Sequence, residues 1–336
     1  RRASWPTRSD FRTPLTLGKF WARTDTTMEG ILVERVRRVP DVTRRFRRDD
    51  MDAIWINKAL FQRDIRDIVN SRNIDVMLTA YSRYMTGLPP FDLDVPVVFD
   101  YLDCSHARPG LGLAEEPYLR KSDAVVCVSD LACERASERG ALTKRIPNGV
   151  DVEHIRSGQR EKVIEKHDLN GKKIVTVIGP TKCRPPYYLD AIEKLSEDVV
   201  LLVVGRSEEV RREIEGRDSN RLIYVGHVPY AHVPDYYAAS DVGLYPVEGT
   251  QYDDGRSPIK VFEYTAAGTP VVSSSIDEVE RLDFRNITTT SSTARAFRAA
   301  IQESLRSGEP FDIPKIEKYS WRRLSDRLLR FLKALT

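Results

Sequence analysis

Lys173-Ile174-Val175-Thr176-Val177-Ile178, then an amphipathic stretch from Tyr188 to Leu195, then Val199-Val200-Leu201-Leu202-Val203-Val204: this order decides the fold. Two apolar, β-branched runs separated by a helical stretch form a βαβ unit on a parallel sheet. Reading outward towards the C-terminus, Leu222–Val225, Val242–Tyr245 and Thr269–Ser273 continue the strands. Val233–Ala239 and Pro258–Ala267 read as helices between them, and a last helix runs from Trp321 to Leu335. Towards the N-terminus, Ile31–Val36, Val76–Thr79, Val95–Phe99 and Ala124–Val128 read as strands, with helices at Arg63–Asn70 and Leu131–Arg139. The alternation breaks at Ile146-Pro147-Asn148-Gly149-Val150-Asp151, where Pro and Asn-Gly demand a turn. The expected class is therefore α/β, with two successive doubly wound domains, 1–149 and 150–318, facing a central cleft. In open α/β sheets ligands bind beyond the carboxyl ends of the strands, so the cleft is where chemistry is expected.

Composition agrees with a globular chain of this size. The 336 residues carry a formal charge of +3, and 41% are hydrophobic, which argues against both extended disorder and a polybasic nucleic-acid binder. Cys104, Cys127, Cys133 and Cys183 form no CxxC pair and have no His at metal-ligand spacing, so neither a disulfide framework nor a zinc site is indicated. A reducing, cytoplasmic setting is the expectation. The longest apolar run, Val199 to Val204, is far short of the roughly 20 residues that span a bilayer. The opening Arg1-Arg2-Ala3-Ser4-Trp5-Pro6 is not followed by an apolar run, unlike a signal peptide, and the lack of an initiator Met fits a trimmed or partial N-terminus. Arg35 to Arg48 holds seven arginines in fourteen residues. That run reads first as a solvated face, second as a contact for an anionic membrane surface, which would place the protein peripherally on the inner face, and last as a contact for nucleic acid.

The densest chemical signal lies between Asp253 and Val272. Ser257 suits an N-cap, Pro258 the first helical position and Gly268 the C-terminal stop, which brackets a helix of about eleven residues. Its N-terminus at the mouth of the cleft offers unpaired N–H groups and partial positive charge, and Lys260 in the first turn adds a full charge for phosphate oxygens. Glu263 lies about 7 Å further down the helix at roughly 1.5 Å per residue, a reach that fits a ribose beside a diphosphate.

The run Ser257-Pro258-Ile259-Lys260-Val261-Phe262-Glu263-Tyr264 with Ala266-Ala267-Gly268-Thr269-Pro270-Val271-Val272 resembles the donor-binding helix of retaining family 4 glycosyltransferases, which have the glycosyltransferase B fold of two Rossmann-like domains. Ile146–Asp151, Ser122–Ser129, Tyr224–Val228 and Tyr236–Val242 resemble other segments of the same family. The resemblance implies transfer of a sugar from a nucleoside diphosphate sugar to a glycan, lipid-linked or small-molecule acceptor, with no cofactor. It implies that Glu263 binds the donor ribose, that Ser257, Pro258, Ile259 and Lys260 hold the diphosphate, and that backbone at His227–Val228 brackets the base. In the loop Gly179-Pro180-Thr181-Lys182-Cys183-Arg184, Lys182 and Arg184 stand where the family keeps cations for the leaving diphosphate. Residues 319–336 resemble a closing helix that packs back towards the first domain. One departure concerns the family's second glutamate, eight positions before Glu263, where this chain has Gly255; Asp254 or Asp253 is the expected substitute. The other is the absence of the usual opening strand and glycine-rich loop.

For the acceptor, Val97 to His106 runs from a buried strand into a cleft loop, and His106 or Asp103 is placed to orient or deprotonate a hydroxyl. Asp253-Asp254 invites a magnesium or manganese reading. The helix terminus, Lys260, Lys182 and Arg184 already supply charge for the diphosphate, so no metal is expected. Two rival readings of the same cleft are a sugar-nucleotide epimerase and a binding protein without transferase activity.

Overall fold

The computed structural model describes residues 25–28, 31–34, 62–80, 92–102, 112–180, 187–307 and 314–336. Strands β1 (Asp25–Met28) and β2 (Ile31–Glu34) form a two-stranded antiparallel ribbon of their own. The strand read at Ile31–Val36 is thus not part of a parallel sheet. The first parallel sheet consists of β3 (Met77–Ala80), β4 (Val97–Tyr101), β5 (Ala124–Cys127) and β6 (Leu142–Arg145), in that order. Alternation along the strands sends Phe99, Tyr101, Val125 and Cys127 to one face, against Tyr118, Leu119, Ala132 and Ala136. Val98, Ala124 and Val126 face the other way, onto Ile146 and Leu324.

The second sheet contains β7 (Lys173–Ile178), β8 (Val199–Val204), β9 (Leu222–Gly226), β10 (Val242–Tyr245), β11 (Val271–Ser274) and β12 (Ile287–Thr290). Its spatial order is β12-β11-β10-β7-β8-β9, all parallel. Counted within the domain this is 3-2-1-4-5-6 read from the β9 edge, the doubly wound order whose direction reverses between β7 and β10. In such sheets ligands bind above the carboxyl ends of the strands at that reversal. All six residues of β8 are buried, as expected of a strand covered by helices on both sides.

The two halves are joined by two chain segments that run side by side. Val150 N–H donates to the Tyr319 carbonyl (3.0 Å) and Trp321 N–H to the Val150 carbonyl (3.2 Å). A Cβ on Gly149 would stand 2.8 Å from the Trp321 ring, so the glycine admits the start of the last helix, Trp321–Lys333. Leu324 of that helix is 2% exposed, and Leu328, Phe331, Leu332 and Leu335 pack beside it on the first sheet. Burial of this apolar stripe is what draws the C-terminal segment out of the second half of the chain.

Candidate functional site

The carboxyl ends of β7, β8 and β9, successive neighbours in the sheet, carry glycines. Gly179, Gly205 and Gly226 end β7, β8 and β9 with φ of +77°, +123° and +73°. Gly179 N–H donates to the Val204 carbonyl (2.8 Å) and Gly205 N–H to the Gly226 carbonyl (2.7 Å), so the three strand ends are laced together. A Cβ on Gly205 would stand 2.7 Å from Pro180 Cδ, and one on Gly179 would stand 3.0 Å from Lys260 Cε. The backbone is therefore closely packed at these strand ends, with Lys260 directly across from Gly179.

Opposite this edge lies the helix Ile259–Ala266. Tyr264 fixes it. A Cβ on Gly243 of β10 would be 2.3 Å from the Tyr264 ring, and the Tyr264 hydroxyl donates to the Thr176 carbonyl (3.0 Å) and accepts from Ile178 N–H (3.2 Å). One side chain thus ties the helix to both strands of the reversal. Glu263, 5% exposed, accepts on Oε2 from the Tyr237 hydroxyl (2.6 Å) and from Lys260 Nζ (2.6 Å). Its Oε1 accepts from no described residue. Burial, then the Glu263 charge, pushes the Tyr237 hydroxyl well above its ordinary range. Tyr237 therefore stays protonated and serves as a fixed donor.

The helix starts differently from the sequence expectation. Pro258 is the N-cap rather than the first helical residue, and the helix has eight residues. Ser257 does not cap it: its Oγ accepts from Asn148 N–H (3.0 Å), and its carbonyl accepts from Asn148 Nδ2 (3.2 Å). The hydroxyl expected to close a helix end instead joins the two halves of the chain. The C-terminal stop agrees with the sequence, since Gly268 follows the Ala267 cap with φ +75°.

Neighbouring residues reinforce that junction. The Gly255 carbonyl accepts from Ser129 Oγ (3.1 Å). Glu278, 1% exposed, accepts from Asp130 N–H (2.8 Å) and from Arg145 (2.7 Å). Asp253 is spent within its own turn, on Thr250 (2.9 Å) and Arg256 (3.2 Å). Asp254 accepts from Asp277 N–H (3.0 Å), and burial raises its pKa. Among the described residues no group of three or more His, Cys, Asp or Glu is arranged to hold a metal.

The remaining sequence candidates divide in two. His227 is exposed and Val228 half-buried in the loop after β9. Asp103, His106, Lys182 and Arg184, together with the Arg35–Arg48 run, lie outside the described residues. Sequence reasoning passed over two residues. Tyr230 follows the Val228 loop and stacks on His154 at 4.5 Å; burial and the Glu263 charge raise its pKa. As the exposed aromatic of that loop, it was visible in the sequence. Asp100 is the one acid inside β4, and burial raises its carboxyl to about 6. A lone carboxylate in an apolar run was the signal there.

Comparison with known proteins places the crevice-bearing half. Residues 172–307 match the family model described as glycosyl transferases group 1. The chain is 31% identical over 174 residues to a phosphatidyl-myo-inositol mannosyltransferase of Mycobacterium leprae (strain TN), covering 49% of this chain and 44% of that one. It is 23% identical over 179 residues to the putative teichuronic acid biosynthesis glycosyltransferase TuaH of Bacillus subtilis (strain 168), covering 50% and 44%. The matches thus span under half the length of these two curated relatives. The crystal structure of Anabaena Alr3699/HepE in complex with UDP superposes with a TM-score of 0.67 at 16% identity, over 82% of each chain. The family match thus lies on residues 172–307 of the second half, and the likeness across most of the chain shows the two-sheet glycosyltransferase B fold.

Proposed function

We propose that the protein is a retaining glycosyltransferase that takes a hexose from a nucleoside diphosphate sugar held at the β7/β10 reversal and passes it to a glycan, lipid-linked or small-molecule acceptor on the first half. The observation that carries this reading is the set Gly179, Lys260 and Glu263: a glycine edge without side chains, an ammonium across from it, and a buried carboxylate whose second oxygen has no partner among the described residues. The names of the two curated relatives and the UDP bound in the HepE structure support it.

In this reading the helix N-terminus and Lys260 take the diphosphate, and Glu263 Oε1 accepts from a ribose hydroxyl. Charge grows on the diphosphate as its bond to the anomeric carbon breaks, and a fixed cation there lowers the barrier. The acceptor oxygen forms the new bond to that carbon on the face being vacated, and its proton passes to the departing diphosphate oxygen. No metal ion is required for these steps, so a chelator leaves the rate unchanged.

Thermal unfolding of the full chain against a panel of nucleoside diphosphates tests the donor site. A true ligand at a hundredfold excess over its Kd stabilises by about 2.7 kcal/mol. Glu263→Ala removes most of that stabilisation, and Lys260→Ala slows transfer of labelled sugar. If no nucleoside diphosphate raises the transition, the donor assignment is wrong; an epimerised free nucleotide sugar as the sole product would replace transfer with epimerisation.

A further inference from the structure

A groove of about 520 Å³ lies between the end of β6 and the last helix, lined by Arg145, Lys318, Arg323, Arg327 and Arg330, with Asp326 as its lone carboxylate. That volume is within the ordinary range for small-ligand sites. Arg145 is neutralised by Glu278 and Asp130, each at 2.7 Å. Among the described residues Lys318, Arg323, Arg327 and Arg330 form no ion pair with any carboxylate.

These four cations come from two elements and are partly held in place. Arg327 donates to the Arg145 carbonyl (3.0 Å), and Lys318 Nζ stands 5.0 Å from the Tyr319 ring centroid. Arg323, Arg327 and Arg330 follow at spacings of four and three, so they share one helix face and repel one another. Leu324, Leu328 and Phe331, each one residue on from an arginine, anchor the adjoining side of that helix on the first sheet, which fixes the face the arginines present. Like charges gathered and left unpaired in a concave site cost stability unless an anion joins them.

We propose that this groove is a phosphate-ester site, separate from the donor crevice, that takes the phosphate or diphosphate group of a second ligand, whether a soluble phosphate or a lipid headgroup. Guanidinium forks match phosphate oxygens in pairs, and three of them beside an ammonium give the charge and geometry for a multiply charged anion. The groove shares no residue with Gly179, Lys260 or Glu263. One wall belongs to β6 and the other to the last helix, so a bound anion straps that helix to the first half of the chain.

The test is calorimetric titration of the full chain with inorganic pyrophosphate, run on the wild type, on Arg323→Glu/Arg330→Glu and on Lys260→Ala. Both arginines are exposed, and Arg323→Gln/Arg330→Gln provides a milder pair if the reversal disturbs folding. The double variant loses at least about tenfold in affinity for a binding component that Lys260→Ala retains. This pattern reports the groove whether or not the donor crevice binds a nucleotide. Equal pyrophosphate binding by wild type and double variant, or none by the wild type, overturns the proposal. Co-sedimentation with phosphatidylglycerol vesicles, against phosphatidylcholine vesicles, identifies the source. Sedimentation lost in the double variant assigns a lipid headgroup; pyrophosphate binding without sedimentation assigns a soluble phosphate. Sedimentation that survives the double variant belongs to another surface and does not count for the groove.

Discussion

Among the described residues, the carboxyl edge of the second sheet and the end of β4 in the first are finished differently. In the second sheet the edge is closed by hydrogen bonds: the Tyr264 hydroxyl holds Thr176 and Ile178, Tyr237 and Lys260 load one oxygen of Glu263, and three glycines lace the strand ends. In the first sheet, β4 ends beside Asp100, whose carboxylate has no hydrogen-bond partner among the described residues. The second edge is organised in the absence of any ligand, the preorganisation that the donor site proposed above calls for. The first edge keeps a carboxylate at the expense of stability, the kind of local cost that collects at sites where chemistry is done.

The largest effect is expected from breaking the second edge. Gly243→Ala puts a methyl carbon 2.3 Å from the Tyr264 ring, an overlap that only a shift of the ring or the helix relieves. Urea denaturation should show a loss of about 3 kcal/mol, near the upper end for an overpacked core, and nucleotide binding should fall with it as Tyr264 leaves β7. An unchanged midpoint would mean that Tyr264 does not hold the helix. The junction between the edges comes next. Glu278→Gln removes the charge that faces Arg145 and weakens the bond from Asp130 N–H, at a cost of about 2 kcal/mol in the same assay. If both variants unfold as the wild type does, the contrast between the locked second edge and the end of β4 is false.

How much of this was legible in the sequence follows from how local each determinant is. β7 and β8 stood out because both faces are buried, leaving unbroken apolar runs. β6 and β12 did not: Leu142-Thr143-Lys144-Arg145 and Ile287-Thr288-Thr289-Thr290 are edge strands with partly exposed faces and no apolar run. The helix stop at Gly268 was readable, because a left-handed residue depends only on the backbone. The helix start was misread because the partner of Ser257 is Asn148, 109 residues away. Lys260 and Glu263 were visible as one turn of one helix, yet nothing local announced Tyr237, 26 residues earlier, as the donor that holds Glu263.

Asp100 gives the smallest effect and the sharpest check on the open edge. Its carboxyl is pushed from the ordinary aspartate range up to about 6, and desolvation is the cause. A raised folded-state value means that the native state favours the protonated acid. Its contribution is fully present below the unfolded value and is lost as pH rises through about 6. Asp100→Asn removes this titration, so the variant and the wild type should be equally stable near the unfolded value. The variant should pull ahead by about 1–2 kcal/mol above the folded value, after allowing for the solvent that still reaches this half-buried group. Urea midpoints measured across that pH interval test the sign directly. A difference that does not change with pH would show that Asp100 is paired, and the two edges would then be alike. If the variant gains stability while transfer to the acceptor slows, the carboxylate is kept for function, and the cost at the first edge has its explanation.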